Sequence, residues 1–164
     1  MHINPDHYLE TPEGRVWSPE RNKLAWETAY RDFEAYISSE ENRDVVAYIV
    51  CGIQGSGKST WVKQHRCDHP SVYFDAAMPA KEHRAISIEI AKAHARQVIA
   101  VWLDVPLDVA LARNNARPAR EIVPPSSIIS VYHQLQPPEI EEGFDKIIII
   151  DQVGGQRTIE KSCS

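Results

Sequence analysis

Long apolar runs are missing from this 164-residue chain: stretches such as Val45–Cys51 fall far short of the roughly 20 residues that a membrane-spanning helix requires. The opening segment MHINPDHYLETPEGR has neither a basic region nor an apolar one, so it lacks the pattern of a secretory signal, and a cytoplasmic location is expected. Cysteine is scarce. Cys51, Cys67 and Cys163 are odd in number, far apart and without metal-ligand spacing, which excludes a disulfide framework and fits reduced thiols. Excess positive charge is also lacking. The formal charge of -5 argues against a broad nucleic-acid-binding surface but leaves room for a local basic cleft. No internal repeat or low-complexity segment divides the chain.

What is present is an ordinary globular composition, 43% hydrophobic and 25% charged, well away from that of a disordered chain. The length suits one hydrophobic core. Residues 1 to about 17 mix Pro5, Pro12, Gly14 and charges without periodicity and read as an extended arm or loop. Ser18-Pro19-Glu20 is a helix start, and Trp26, Tyr30, Phe33 and Ile37 follow at helical spacing. An amphipathic helix is expected over 19–39, its aromatic stripe facing either the core or a partner. Val45–Cys51 reads as a parallel strand buried on both faces. Further strands are expected at Val72–Phe74, Val98–Leu103 and Lys146–Ile150, with helices at about 58–66, 80–95, 106–114 and 126–135. This alternation predicts an α/β, three-layer fold with a short parallel sheet of about four strands flanked by helices. The organisation expected is an arm and helix over 1–43, a core over 44–152 with a lid near 113–123, and a polar, frayed tail over 153–164.

Between strand and helix, Gly52-Ile53-Gln54-Gly55-Ser56-Gly57-Lys58-Ser59 matches G-x-x-x-x-G-K-[ST], and Thr60 follows. Glycines let the backbone turn its N–H groups toward phosphate oxygens, and a helix starting at about Lys58 adds its positive end. Lys58 is placed to bridge the outer phosphates, and the Ser59 hydroxyl to be a ligand of Mg²⁺. Gly52, Gln54, Gly55, Ser56, Gly57, Lys58, Ser59 and Thr60 are therefore the expected nucleotide-binding residues, with ATP and Mg²⁺ the expected cofactors. Such loops also serve ATPases and GTPases, so the motif alone leaves the reaction open. No N-K-x-D guanine signature is present, and the core is short, which favours a compact kinase.

Asp75 ends a short apolar strand and is expected at its carboxyl end beside the phosphates. Three roles are open to it: general base toward an attacking hydroxyl, Mg²⁺-holding Walker-B carboxylate, or cap of the next helix. Asp104 competes for the position, but Pro106 after it suggests a turn. Arg113, Arg117 and Arg120 gather within one short stretch, either as lid arginines that grip a transferring phosphoryl group or as a solvated helix end.

GIQGSGKSTW, DAAMPAKEHR, LDVPLDVALARNNAR and VPPSSIISVYHQLQPPEIEEGFDKI resemble the kinase domain of the phage and animal 5'-polynucleotide kinases and their P-loop kinase relatives, over about residues 45–151. The resemblance implies a P-loop NTPase fold of the nucleotide-kinase type. It also implies ATP-dependent transfer to a polynucleotide 5'-hydroxyl activated by an aspartate on the second strand. The family's loop lysine and serine fall on Lys58 and Ser59, its lid arginines on Arg113 and Arg117, and its P-x-x-x-E-G-F tail on Pro138, Glu142, Gly143 and Phe144. The tail is expected to shape the fold and the adenine side. The chain departs from the family where a catalytic D-x-x-R strand and its helices should stand. Asp75 through Arg84 occupies that place by spacing but reads like the family's later D-x-x-x-x-P-x-x-R segment. Either Asp75 serves both purposes or a smaller acceptor is phosphorylated. Arg84 is either the missing partner or an exposed helix arginine, and the N-terminal helix is a candidate to refill the vacated space.

The expected function is thus an ATP- and Mg²⁺-dependent kinase with a hydroxyl acceptor. The acceptor is a nucleic-acid 5' end or a small molecule. The alternative is a nucleotide-binding regulatory module that docks a partner through the 19–39 helix. His65, Cys67 and His69 form H-x-C-x-H, which matches no zinc signature and reads as a polar helix end rather than a metal site.

Overall fold

The computed structural model describes residues 1–65 and 67–162. In chain order its elements are β1 (His2–Ile3), β2 (Glu10–Thr11), β3 (Gly14–Arg15), α1 (Pro19–Ile37), β4 (Val46–Cys51), α2 (Lys58–Gln64), β5 (Ser71–Asp75), α3 (Lys81–His94), β6 (Gln97–Asp104), α4 (Leu107–Asn115), α5 (Pro125–Tyr132), β7 (Lys146–Asp151) and β8 (Gln156–Glu160). The apolar runs make the sheet. All six residues of β4 are buried, as a parallel strand covered on both faces requires. Strands β5, β4, β6 and β7 lie side by side and parallel, with Val50 opposite both Asp75 and Val101.

Two edges were not anticipated. The sheet has six strands, in the order β1-β5-β4-β6-β7-β8, rather than about four. At one edge the supposed arm contributes β1, parallel to β5, then a 3-10 turn over Pro5–Leu9 and the β2–β3 hairpin. At the other, the supposed frayed tail forms β8, antiparallel to β7 and tied to it by Lys146–Glu160 at 2.7 Å. Every residue of β8 is exposed, so it carries no apolar alternation to announce it, and backbone hydrogen bonding to β7 orders it. Cys163 lies outside the described residues.

Two layers of helix cover the sheet. Helix α1 starts as expected, with Ser18 Oγ accepting from the Arg21 N–H at 3.2 Å and Pro19 in the first turn. It buries Ala25, Ala29, Phe33 and Ile37. With α3 it packs on one face, where Phe33, Ile37, Ile88 and Ala91 join Ile49, Val72, Phe74, Ala100 and Ile147 in one cluster. Burying one such side chain contributes about 1.5–3 kcal/mol. The other face carries Val46, Tyr48, Val50, Tyr73, Val101 and Ile148 beneath Val62 and Trp61 of α2. Helix α2 ends at Gln64, short of the expected 66, and residue 66 lies outside the described set. Helix α5 ends at Tyr132 rather than 135. From β4 the chain goes to β5 on one side, then crosses to β6 on the other. The carboxyl end of β4 is therefore a switch point, where ligands bind in open α/β sheets. Among the described residues no helix is long and apolar enough to cross a membrane.

Candidate functional site

Leaving β4, the chain turns back over the sheet end, and its geometry there depends on glycine. Gly55 has φ +84°, and a Cβ on it would lie 2.3 Å from the Ala110 carbonyl oxygen of α4, so any other residue would displace the loop. Gly57, at φ +100°, caps α2 without any side-chain bond. The Gly55 and Gly57 N–H groups donate to no described residue.

Lys58 Nζ folds into the loop, donating to the Gly52 and Ile53 carbonyl oxygens at 2.8 and 3.0 Å. Desolvation lowers its pKa, against the opposing pull of Asp75 and Asp6, and Arg117 pushes the same way as desolvation. Both Asp6 and Arg117 therefore stand in the electrostatic field of the loop. One residue on, Ser59 Oγ donates to Asp75 Oδ2 at 2.6 Å.

Asp75 is fully buried at the end of β5. Its Oδ2 also contacts His2 Nε2 at 3.0 Å and accepts from Asn4 Nδ2 at 3.2 Å. Burial by itself would raise the carboxyl pKa. The His2 hydrogen bond, the Lys58 charge and the Ser59 hydrogen bond reverse that and hold it below the ordinary aspartate value. Among the described residues, the Oδ1 of this carboxylate has no hydrogen-bond partner. Buried polar atoms are nearly always bonded, and an orphan costs about 1–3 kcal/mol. Among the described residues three such side-chain atoms occur: Gln54 Oε1, Ser56 Oγ and Asp75 Oδ1. Two belong to the loop, and the third to the carboxylate beside it.

The remaining expected residues are distributed unevenly. Arg113 reaches the loop, donating to the Ser56 carbonyl at 3.2 Å and, from its other terminal nitrogen, to the Gln152 carbonyl at 2.7 Å. It ties the loop to the turn after β7. The Arg117 guanidinium makes no hydrogen bond or ion pair with a described residue, although its charge is felt at Lys58. Arg120 is turned to Glu121 at 4.0 Å, and the expected lid contains a short 3-10 turn over Ala119–Glu121. Thr60 is exposed in the first turn of α2. Asp104 is exposed at the end of β6, across the ladder from Asp151, and stands apart from this cluster.

Several site residues had no sequence signal. His2 and Asn4 reach Asp75 only because the two-residue β1 pairs with β5, placing His2 beside Tyr73 and Ile3 beside Phe74. The expected choice between an exposed Arg84 and a replacement catalytic partner resolves otherwise: Arg84 is fully buried. Its Nε and Nη2 donate to Glu142 at 2.8 and 2.7 Å, and its Nη1 donates to the Met78 and Gln136 carbonyls at 3.1 and 3.0 Å. Met78 has φ +41°, a conformation costing about 1–3 kcal/mol outside glycine, so the Arg84–Glu142 pair holds a strained loop directly after Asp75. Glu142 comes from the P-x-x-x-E-G-F segment; Phe144 of that segment is in the core, and Gly143 takes φ +119° under Lys92 and Ile88.

The H-x-C-x-H segment is a packed polar cluster. His65 Nδ1 lies 2.9 Å from the Tyr73 hydroxyl, Cys67 Sγ is 3.4 Å from that hydroxyl, and Tyr48 stacks on Tyr73 at 5.0 Å. Among the described residues no group of three or more His, Cys, Asp or Glu side chains is arranged to hold a metal ion. That does not bear on a magnesium site of the expected kind, in which one carboxylate and a hydroxyl share the ion with nucleotide phosphates. The donors fit such an ion: an ionised carboxylate with one unpaired oxygen and a serine hydroxyl, both hard oxygen ligands. In comparisons with known proteins, the chain matches no family model and no curated sequence.

Proposed function

We propose that this chain is a P-loop kinase that binds ATP with Mg²⁺ and transfers the γ-phosphoryl group to a hydroxyl. The clustering of three orphaned buried polar atoms on the glycine loop and Asp75 carries this reading, because a phosphate with its cation would give the Ser56 hydroxyl an acceptor and Asp75 Oδ1 a positive charge. The bound nucleotide and its ion supply the phosphoryl group and a divalent charge. The chain's own part is electrostatic and positional. Loop N–H groups, with those of Gly55 and Gly57 unpaired among the described residues, face the phosphates, and Lys58 exchanges its two carbonyl partners for phosphate oxygens. Ser59 and Asp75 hold the ion, and Ser56 and Gln54 lie within the same loop.

The geometry favours metal holding over proton abstraction for Asp75. A carboxylate with a lowered pKa and three polar contacts on one oxygen is a weak base near neutral pH. Arg117, whose guanidinium pairs with no described residue and whose charge is felt at Lys58, is the arginine available to stabilise charge on the transferring group; Arg113 holds the loop against Gln152.

A screen with γ-labelled ATP against nucleosides, sugars and oligonucleotide 5' ends tests the reaction class. Transfer to a hydroxyl acceptor is expected, and Asp75→Asn should abolish it while ATP is still bound. ATP binding with no transfer to any acceptor would remove the kinase reading.

A further inference from the structure

Beside the phosphate loop, at the carboxyl end of β5 and between α1 and α3, is a cavity of about 330 Å³ whose walls are mainly apolar. Trp26 and Tyr30 of α1, Ala77, Met78 and Pro79 of the loop after β5, and Ile86 of α3 line it. Its volume is near the lower end of the range, about 300–1,000 Å³, typical of small-ligand sites. We propose that this cavity holds the phosphoryl acceptor, and that the acceptor is an uncharged, nucleoside-sized molecule with a flat aromatic ring and a free hydroxyl. The acceptor role rests on the kinase reading; the ring-binding site does not.

Four observations carry the assignment. First, the cavity and the phosphate loop share backbone: Ala77 lies two residues after Asp75, and its carbonyl accepts the Gly52 N–H at 3.1 Å. The cavity wall is therefore hydrogen-bonded to the first residue of the loop and continuous in the chain with Asp75. Second, the wall is preorganised. Met78 keeps its left-handed conformation because Arg84 grips the Met78 and Pro79 carbonyls from a buried pair with Glu142. Third, the aromatic side is fixed. Tyr30 stacks on Phe74 at 5.4 Å with the rings 4° from parallel, and Trp26 sits 5.6 Å from Tyr30. Aromatic walls held in this way suit a flat ring. Fourth, the cations of α3 closest in sequence to the wall are already engaged, Lys81 with Glu139 and Arg84 with Glu142, while in the lining itself Glu82 adds negative charge and His83 accepts the Ala80 N–H on Nδ1 with its Nε2 3.9 Å from Glu82. A polynucleotide end takes most of its affinity from lysine and arginine on phosphates, and the lining offers it neither.

Calorimetric titration of the full chain tests this, with saturating Mg²⁺ and β,γ-imido-ATP filling the nucleotide site. The probes are adenosine, guanosine, cytidine and thymidine, with glucose and a ten-residue oligothymidylate for contrast. At least one nucleoside should bind saturably, and glucose and the oligonucleotide should not compete with it. Ile86→Glu, at a half-exposed position chosen to spare the fold, should weaken nucleoside binding at least tenfold and leave imido-ATP affinity unchanged. Trp26→Ala should have the same effect. Absence of saturable binding by all four nucleosides would overturn the proposal, as would equal affinity in Ile86→Glu or tighter, salt-sensitive binding of the oligonucleotide. If imido-ATP failed to bind while a nucleoside still bound in a manner sensitive to Ile86→Glu, the ring site would be upheld and the kinase reading would fall.

Discussion

On one side of Asp75, a single unbroken stretch, Gly52–Ser59, supplies the glycines, the lysine and the hydroxyl of the loop proposed to hold phosphate. On the other side the surroundings come from four places in the chain. These are His2 of β1 with Asn4 just after it, Trp26 and Tyr30 of α1, the strained turn at Met78, and the Arg84–Glu142 pair that holds it. The contiguous side is specified by local backbone chemistry, since only glycine tolerates the loop's torsions and its contact with Ala110. The assembled side is specified by packing and by a buried ion pair, so it depends on the whole fold. The two sides should therefore fail differently: damage to the loop should remove chemistry and spare stability, whereas damage to the assembled side should remove stability first.

Arg84→Met is the largest expected break. It strands Glu142, whose side chain is 8% exposed, without its partner and releases the Met78 turn. Removing one member of a buried pair costs about 3–5 kcal/mol. Urea denaturation should show a loss of that size, and the cavity should loosen with it. Lys58→Ala attacks the contiguous side. Transfer should fall on the order of 10²–10³-fold, the usual effect of deleting one electrostatic contact to a reacting group, with a thermal midpoint close to that of the unmodified chain. A large stability loss in Lys58→Ala would erase the contrast between the two sides.

His2→Ala tests the seam between them. It removes one of three polar contacts on the Asp75 carboxylate, and a hydrogen bond to a charged group contributes about 1.5–3 kcal/mol. Denaturation should report a loss in that range, and transfer should weaken because Asp75 is less firmly held. The smallest effect concerns the far face. Burial, and then the charge of His69, lowers the His65 pKa below 6.5. A group whose folded pKa is depressed contributes stability that is fully present above its unfolded value and is lost as pH falls through the folded one. Stability should therefore decline below pH 6.5, and His65→Gln should flatten that part of the curve. Denaturation midpoints measured across pH 5 to 8 would show it.

Much of the central sheet was legible because β4, β6 and β7 are long enough, and apolar enough, to name themselves. Helix α1 was legible for a different reason, the Ser18-Pro19 start and the spacing of Phe33 and Ile37. The edge strands were not. β1 is two residues long, and β8 is exposed along its whole length, so neither carries a periodic signal. Arg84 illustrates the same limit for a single residue. Nothing near it in sequence tells whether a helix arginine faces water or a carboxylate 58 positions away.

The sequence by itself determined the glycine-rich loop after β4, because the torsions that a glycine permits and the reach of Lys58 and Ser59 are local properties of eight consecutive residues. Tertiary structure alone decided what surrounds Asp75. Strand pairing brings His2 to its carboxylate, helix packing sets Trp26 and Tyr30 beside the following turn, and the pair formed by Arg84 and Glu142 keeps that turn strained. Each of these contacts joins residues distant in the chain, so each follows from the burial of the whole core and from no motif.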